Sequence, residues 1–378
     1  MSFLSKTVRS IIQYFKNTNL MLLLFCSLAT GYGLVLVYSA AHAAGVGAAG
    51  FRTQFIVFAI GTVFAIAISL IDYRTICSLW PVWAGIAIIL VLLTFTPLGL
   101  NATGTDDTAW LKVPIIGTFQ PSELLKIAYI ITFSLHLHKV SDHVNHPLTL
   151  TLLGVHAMLP ISLIFLQGDD GTALVFIFIT LIMLFAAGLH WGYILGGLTA
   201  FVAIIPVVWN FMDESKKGRF LCLLFVEEYA QTSGWQQMQG ITAIGSGQLT
   251  GVGYLNGNGF FARNNDFIFT VAGEEFGFLG SILLLLILAL VVWALWRGAR
   301  KAYDDVGTFL CIGILAMIAS QSVINIGMNL RLLPVIGNTL PFFSAGGSSL
   351  LTLYFAVGVA LSVTHTTKLQ SRHSLFTH

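Results

Sequence analysis

Charge is what this sequence has least of. Only 9% of its 378 residues are Asp, Glu, Lys or Arg, against about 25% in a soluble globular domain. With 56% of the residues apolar, a water-soluble fold is excluded and a chain that crosses a membrane many times is expected. The net charge of +2 supplies no basic footprint, so nucleic acid is not expected as a partner. Cysteine is scarce too. Cys26, Cys77, Cys222 and Cys311 stand far apart, without a C-x-x-C pair or metal-type spacing, and read as free thiols. There is no H-E-x-x-H, no G-x-S-x-G and no Cys/His pair suited to nucleophilic catalysis. The glycine-rich run 244–253 lacks G-K-[ST] and a preceding strand, which excludes a nucleotide loop. It reads either as a plain loop or as backbone amides that approach a sugar or phosphate.

What is present is apolar length. A span needs about 20 mostly apolar residues. Candidates lie at 20–39, 54–71, 76–96, 121–138, 147–166, 172–189, 192–212, 275–296, 306–327 and 348–367. The expected fold is therefore all-α: one integral membrane unit over 1–378, with ten transmembrane helices and a large extracytoplasmic loop between the seventh and eighth. The run at 20–39 is too long for a signal-peptide core and reads as a retained first span. Basic residues in short loops set the orientation. Lys6, Arg9, Lys16, Arg74, Lys139, Arg297, Arg300, Lys301, Lys368 and Arg372 fall on one side, which places both termini in the cytoplasm. Most acidic residues then face outward, so the polar chemistry is expected outside. Two outer segments, 97–120 and 213–274, are too long for simple turns.

The fourth span carries the sharpest signal. Ile127 to His138 offers only 12 uncharged residues, so a crossing helix must begin near Pro121, a residue suited to a first helical position. Glu123 and Lys126 are then drawn to membrane depth, on one helix face at i and i+3. They read as a neutralising pair between helices or as the lining of a cavity where lysine meets an anionic ligand such as pyrophosphate. Asp266, where the long loop meets the eighth span, is a helix cap or a general base at the water–membrane boundary. Glu274 and Glu275 pose the same choice. Asp169-Asp170 is a capping turn or a pair of acids that recruits a divalent cation, Mg or Mn, with a phosphorylated ligand. His136, His138, His143 and His146 read as a solvated cytoplasmic loop.

Five segments in order resemble the SEDS family, the RodA/FtsW-type cell-wall polymerases. They are Phe119-Gln120-Pro121-Ser122-Glu123-Leu124-Leu125-Lys126, the Asp169-x-Gly171-Thr172 turn, Ala243-Ile244-Gly245-Ser246-Gly247, Asp266-Phe267-Ile268-Phe269 with Gly273-Glu274-Glu275-x-Gly277, and Leu333-Pro334 through Ser349. With the ten spans, the resemblance covers nearly the whole chain. It implies a peptidoglycan glycosyltransferase that joins the disaccharide-pentapeptide units of lipid II at the outer face of the cytoplasmic membrane. Undecaprenyl pyrophosphate would be released, and a class B penicillin-binding protein would be the partner within the membrane lipid. It implies Asp266, Lys126 and Glu123 as catalytic residues. It places substrate against Asp169, Trp110 and Gln120, and also against Ser122, Ser246, Ser344 and Gly346. The chain departs from the family pattern at Ala109 before Trp110, at Gly168-Asp169-Asp170, at Ala262-Arg263-Asn264-Asn265 and at Ala345. These departures leave the branch open between elongation, division and sporulation. A lipid II transporter and a non-catalytic scaffold of a wall-synthesis complex are the alternatives.

Overall fold

The computed structural model describes residues 18, 20–43, 49–101, 108–113, 117–229, 231–232, 234–257 and 265–375. Lys6, Arg9, Lys16, Ala262, Arg263 and Asn264 lie outside the described residues. Among the described residues, seven helices are long and apolar enough to cross a membrane. They are α1 (Leu20–Ala43), α2 (Ala49–Ser69), α6 (Pro147–Leu166), α8 (Trp191–Phe211), α13 (Gly277–Arg300), α14 (Asp305–Asn329) and α15 (Gly347–Leu375). Two further apolar helices are shorter, α4 (Trp80–Thr94) and α7 (Asp170–Ala186). The charged helix α5 (Pro121–Val140) has 20 residues. The chain is a mostly helical, multi-pass membrane protein.

Three features refine the sequence expectation. The third span is broken: α3 (Tyr73–Ser78) ends before α4, which starts afresh with proline in its first turn. The eighth span is one continuous helix, α13, preceded by a short one. Helix α12 (Ile268–Glu275) stops at Phe276, and Gly277, with φ +66°, turns the chain into α13. Only glycine enters that region without a steric penalty. The two long segments, 97–120 and 213–274, carry secondary structure of their own. The first carries a small antiparallel sheet, β1 (Gly99–Leu100), β2 (Trp110–Val113) and β3 (Gly117–Phe119), with Leu111 opposite Phe119. The second folds into α9 (Glu214–Leu224), α10 (Val226–Tyr229) and α11 (Trp235–Gly247).

The centre of the bundle is α14 and α15, whose apolar windows are 72% and 83% buried. Helix α15 packs on α2, and α14 packs on α5, α7 and α13. Helix α8 is the opposite case, with none of its apolar window buried. A helix that is apolar all round and unburied has only hydrocarbon to face. The expected histidine loop is corrected for two of its members. His136 and His138 lie within α5, and His136 Nδ1 is 3.0 Å from Nδ1 of His156 on α6.

Candidate functional site around the C-terminal segment

Helix α5 begins at Pro121, and its first turn carries Glu123. Lys126 follows one turn later. Its Nζ donates to Glu123 Oε1 at 2.9 Å, with side-chain exposures of 0% and 6%. The other carboxylate oxygen, Oε2, accepts from the Thr352 hydroxyl of α15 at 3.5 Å. A cation and an anion buried this deeply must be paired, because water cannot solvate either. Both expected members of the pair are thus brought together.

Asp266 is half-buried, two residues before α12 begins at Ile268. The residue at the N-cap is Phe267, so Asp266 is not the cap of this helix. Its backbone carbonyl accepts from Asn325 Nδ2 at 2.8 Å and from Asn329 Nδ2 at 2.9 Å, both on α14. The preceding carbonyl, of Asn265, accepts from the Ser344 hydroxyl at 2.6 Å. The Asp266 carboxylate lies beside Gly337, its Oδ2 3.9 Å from where a Cβ on that glycine would stand.

Glu274 and Glu275 end α12 rather than start a helix, so neither is an N-terminal cap. Glu275 Oε1 accepts from the Ser39 hydroxyl of α1 at 2.6 Å, and Oε2 faces the Leu255 amide at 3.4 Å. It clamps α1, α12 and the outer segment. Burial raises the phenol pKa of nearby Tyr254 in that segment, with the Glu275 and Tyr38 charges adding to the shift.

The segment between α14 and α15 is where these contacts converge. Gln54 of α2 brackets its end, donating to Ser344 O at 3.0 Å and accepting from the Gly346 amide at 3.1 Å. Gln237 of α11 donates to Met328 O at 2.9 Å and Leu333 O at 2.7 Å. Arg331, with φ +60°, reaches the carbonyls of Cys222 and Leu223 at the end of α9. Two bulky residues, Arg331 and Phe342, hold positive φ within this one segment. Such backbone persists only where the surroundings over-determine it. Gly171 of α7 sits against the Ile336 carbonyl so closely that a Cβ there would collide with it.

Asp169 caps α7, accepting from the Thr172 amide at 2.9 Å, and its Oδ2 accepts from Gln120 at 3.0 Å. Asp170 is held by Lys216 of α9 at 2.6 Å. No group of three or more His, Cys, Asp or Glu suited to a metal occurs among the described residues. With one acid capping and the other ion-paired, the turn does not make a cation cage. Ser122, next to Glu123, is fully buried. Trp110 lies on β2, paired with Leu100. Ser246 is exposed on α11 and donates to its own helix at Ala243 O, 2.7 Å away. Sequence reasoning missed Gln54, Asn329, Thr352 and Gln237, whose side chains donate to partners 63 to 290 residues away.

Sequence and structure comparisons bear on the chain as a whole. The chain is 34% identical over 367 residues to the probable peptidoglycan glycosyltransferase FtsW of Trichlorobacter lovleyi, covering 93% of this chain and 94% of that one. It superimposes with a TM-score of 0.78 and 27% identity on a protein whose structure is described as structural coordination of polymerization and crosslinking by a peptidoglycan synthase complex, covering 92% and 97% of the two chains. The rod shape determining protein RodA of Thermus thermophilus gives a TM-score of 0.67 at 25% identity, covering 91% and 95%. The sequence model of the FtsW/RodA/SpoVE family, described as cell cycle protein, matches residues 19–369, and this chain belongs to that family.

Proposed function

We propose that this chain is a peptidoglycan glycosyltransferase that polymerises lipid II at the outer face of the cytoplasmic membrane, with both termini in the cytoplasm and ten helices crossing. Asp266 takes the proton from a sugar 4-hydroxyl. The freed oxygen bonds to the anomeric carbon of the growing strand, and the bond from that carbon to undecaprenyl pyrophosphate breaks. A positioned base contributes about 10²–10⁴ in rate. Lys126 stabilises charge on the departing pyrophosphate. Glu123 holds the lysine upright before substrate arrives, and Thr352 holds Glu123. Asp169 with Gln120 shapes the neighbouring wall.

The observation that carries this reading is the fully buried Lys126 near the start of α5, beside the buried Glu123. A lone pair for stability is poor use of such a position, since apolar residues of similar size are often as stabilising. Of the substrate contacts expected from the family, Ser344 and Gly346 gain support from their bonds around Asp266 and Gln54. Trp110, Ser122 and Ser246 stand on resemblance alone. Crosslinking in the solved relative's complex is a transpeptidase's task, which supports a class B penicillin-binding protein as partner. Helix α13 offers the face for it: Phe278, Leu279, Ile282 and Leu286 are exposed, whereas α14 is largely interior.

The test is polymerisation of labelled lipid II by the purified chain, with and without that partner. Asp266→Asn keeps size and hydrogen bonding but removes the base. Polymer should fall by at least about a hundredfold with expression and melting unchanged. Near-normal polymer from Asp266→Asn refutes the base assignment.

A further inference from the structure

We infer that Asn325 and Asn329 of α14 are positioning residues that aim the Asp266 carboxylate, an inference that rests on the reading of Asp266 as the base. Both are fully buried, one helical turn apart on one face of α14. Both amides donate to the same acceptor, the Asp266 carbonyl, at 2.8 and 2.9 Å. Asn325 Nδ2 also donates to Asn338 O at 2.6 Å. Asn338 follows Gly337, the residue beside the Asp266 carboxylate. One amide therefore fixes the backbone that carries the acid and the backbone that faces it. Asn329 steadies its neighbour, donating to Asn325 O at 2.8 Å and to Asn325 Oδ1 at 3.2 Å.

The grip is doubled from the other side. Ser344 holds the Asn265 carbonyl, so two consecutive peptide planes are clamped by side chains. Fixing both planes fixes the direction in which the Asp266 side chain leaves the backbone. A purely structural contact here would be an expensive choice. Asparagine is a weak helix former, and burying its amide is costly unless every group is bonded. The network is left incomplete all the same: Asn329 Oδ1 and Asn338 Nδ2 are buried without a hydrogen-bond partner among the described residues. Each such orphan is destabilising, because its lost hydration is not repaid. Leucine at either position would pack into the same bundle without that cost. Polar groups kept at a loss on central α14 and in the segment that follows it point to geometry, not stability, as what they serve.

The experiment is a double-mutant cycle on lipid II polymerisation, with the full chain and its transpeptidase partner. It compares wild type, Asn325→Ala, Asp266→Asn and the double variant. A displacement of about 1 Å at a reacting group costs about 10²-fold in rate. Asn325→Ala should therefore lower kcat by a factor of that order, leave KM unchanged and shift the acidic limb of the pH–rate profile. Adding Asn325→Ala to Asp266→Asn should cause no further loss, because the asparagine acts only through the acid. Gln321→Met, a near-isosteric change one turn away on α14, controls for loss of a buried polar group. It should move the melting temperature but not the pH profile. If Asn325→Ala does not accumulate, Asn325→Ser retains one donor and should show the same pattern with a smaller loss. Losses that add in the double variant, or a wild-type kcat and pH profile in Asn325→Ala, overturn the positioning role. Near-normal polymer from Asp266→Asn alone overturns instead the reading on which it rests.

Discussion

Removing Lys126 without Glu123 separates a structural ion pair from a catalytic one. In Lys126→Met, the Glu123 carboxylate loses its partner at 2.9 Å in a site only 6% exposed. Breaking a buried pair from one side costs about 3–5 kcal/mol, because the remaining charge is uncompensated. The Thr352 hydroxyl at 3.5 Å is too long a bond to offset much of that. The double variant Glu123→Gln with Lys126→Met leaves no buried charge. Replacing a whole pair by neutral groups is commonly neutral or stabilising by about 1–4 kcal/mol. Thermal unfolding in detergent should therefore show a large drop for the single variant and recovery in the double.

Activity should not follow stability. If Lys126 meets the departing pyrophosphate, the double variant remains inactive although it is stable. Losing one preorganised group of this kind costs about 10²–10³ in kcat. The assay is lipid II polymerisation by wild type and both variants, at equal amounts of folded protein. A stable double variant with near-normal polymer refutes the catalytic role and leaves the pair as a neutralising contact. A single variant as stable as wild type refutes the buried pair itself.

Gly171→Ala should drive a methyl into the Ile336 carbonyl, costing about 1–3 kcal/mol by overpacking and slowing polymerisation by displacing the segment beside Asp266. A variant with unchanged melting and activity argues against that close approach. At the opposite rim, Arg74 Nη2 meets Asp304 Oδ2 at 2.9 Å, and the Gly307 amide donates to Asp304 Oδ1 at 2.9 Å. Burial raises the Asp304 carboxyl pKa, but the Gly307 amide, Tyr73 and Arg74 outweigh it and hold the carboxyl below its usual value. A depressed carboxylate stabilises the fold above its unfolded pKa, about 3.9, and that contribution is lost as pH falls through the lower folded value. Asp304→Asn keeps the cap but not the charge, so the unfolding midpoint should fall less steeply in acid than in wild type. An identical acid dependence refutes the contribution.

Much of this arrangement is legible in the sequence, and the limit has a physical cause. Glu123 and Lys126 are legible because membrane thickness is a ruler: α5 cannot cross without drawing them in. The Asp169 turn is legible because a helix start beside Gly171-Thr172 is a local event. Asn325 and Asn329 are different. Their partner at Asp266 lies 59 and 63 residues away, and nothing local marks which carbonyl an amide will find. Gln54 reaches Ser344 across 290 residues. The turn at Gly277 is hidden because hydropathy does not register a change of direction. His136 is misread for the opposite reason. Its neighbours His138, His143 and His146 suggest a loop, while its partner His156 belongs to the next helix.

The depth at which polar groups occur bears on whether such a chain moves its substrate or reacts with it. A transporter needs polar lining through the whole bundle. Further along the bundle from the Glu123–Lys126 pair, Tyr129, Thr132, His136, His156 and Thr180 are polar side chains on α5, α6 and α7. They bond to one another: Tyr129 to Thr180 at 2.7 Å, Thr132 to His156 at 3.1 Å, and His136 to His156 at 3.0 Å. Aromatic rings fill the space around them. Tyr129 stacks on Phe133 at 5.1 Å and meets Phe176 edge-on at 5.5 Å. Phe133 and Phe176 are fully buried. Groups that satisfy each other inside a close-packed core form a plug, not a path. Beyond the plug, Gln54, Gln237 and Asn325 bond instead to the backbone of one segment, residues 328–346, beside Asp266. A headgroup at that end of the bundle meets chemistry there without having to pass through it.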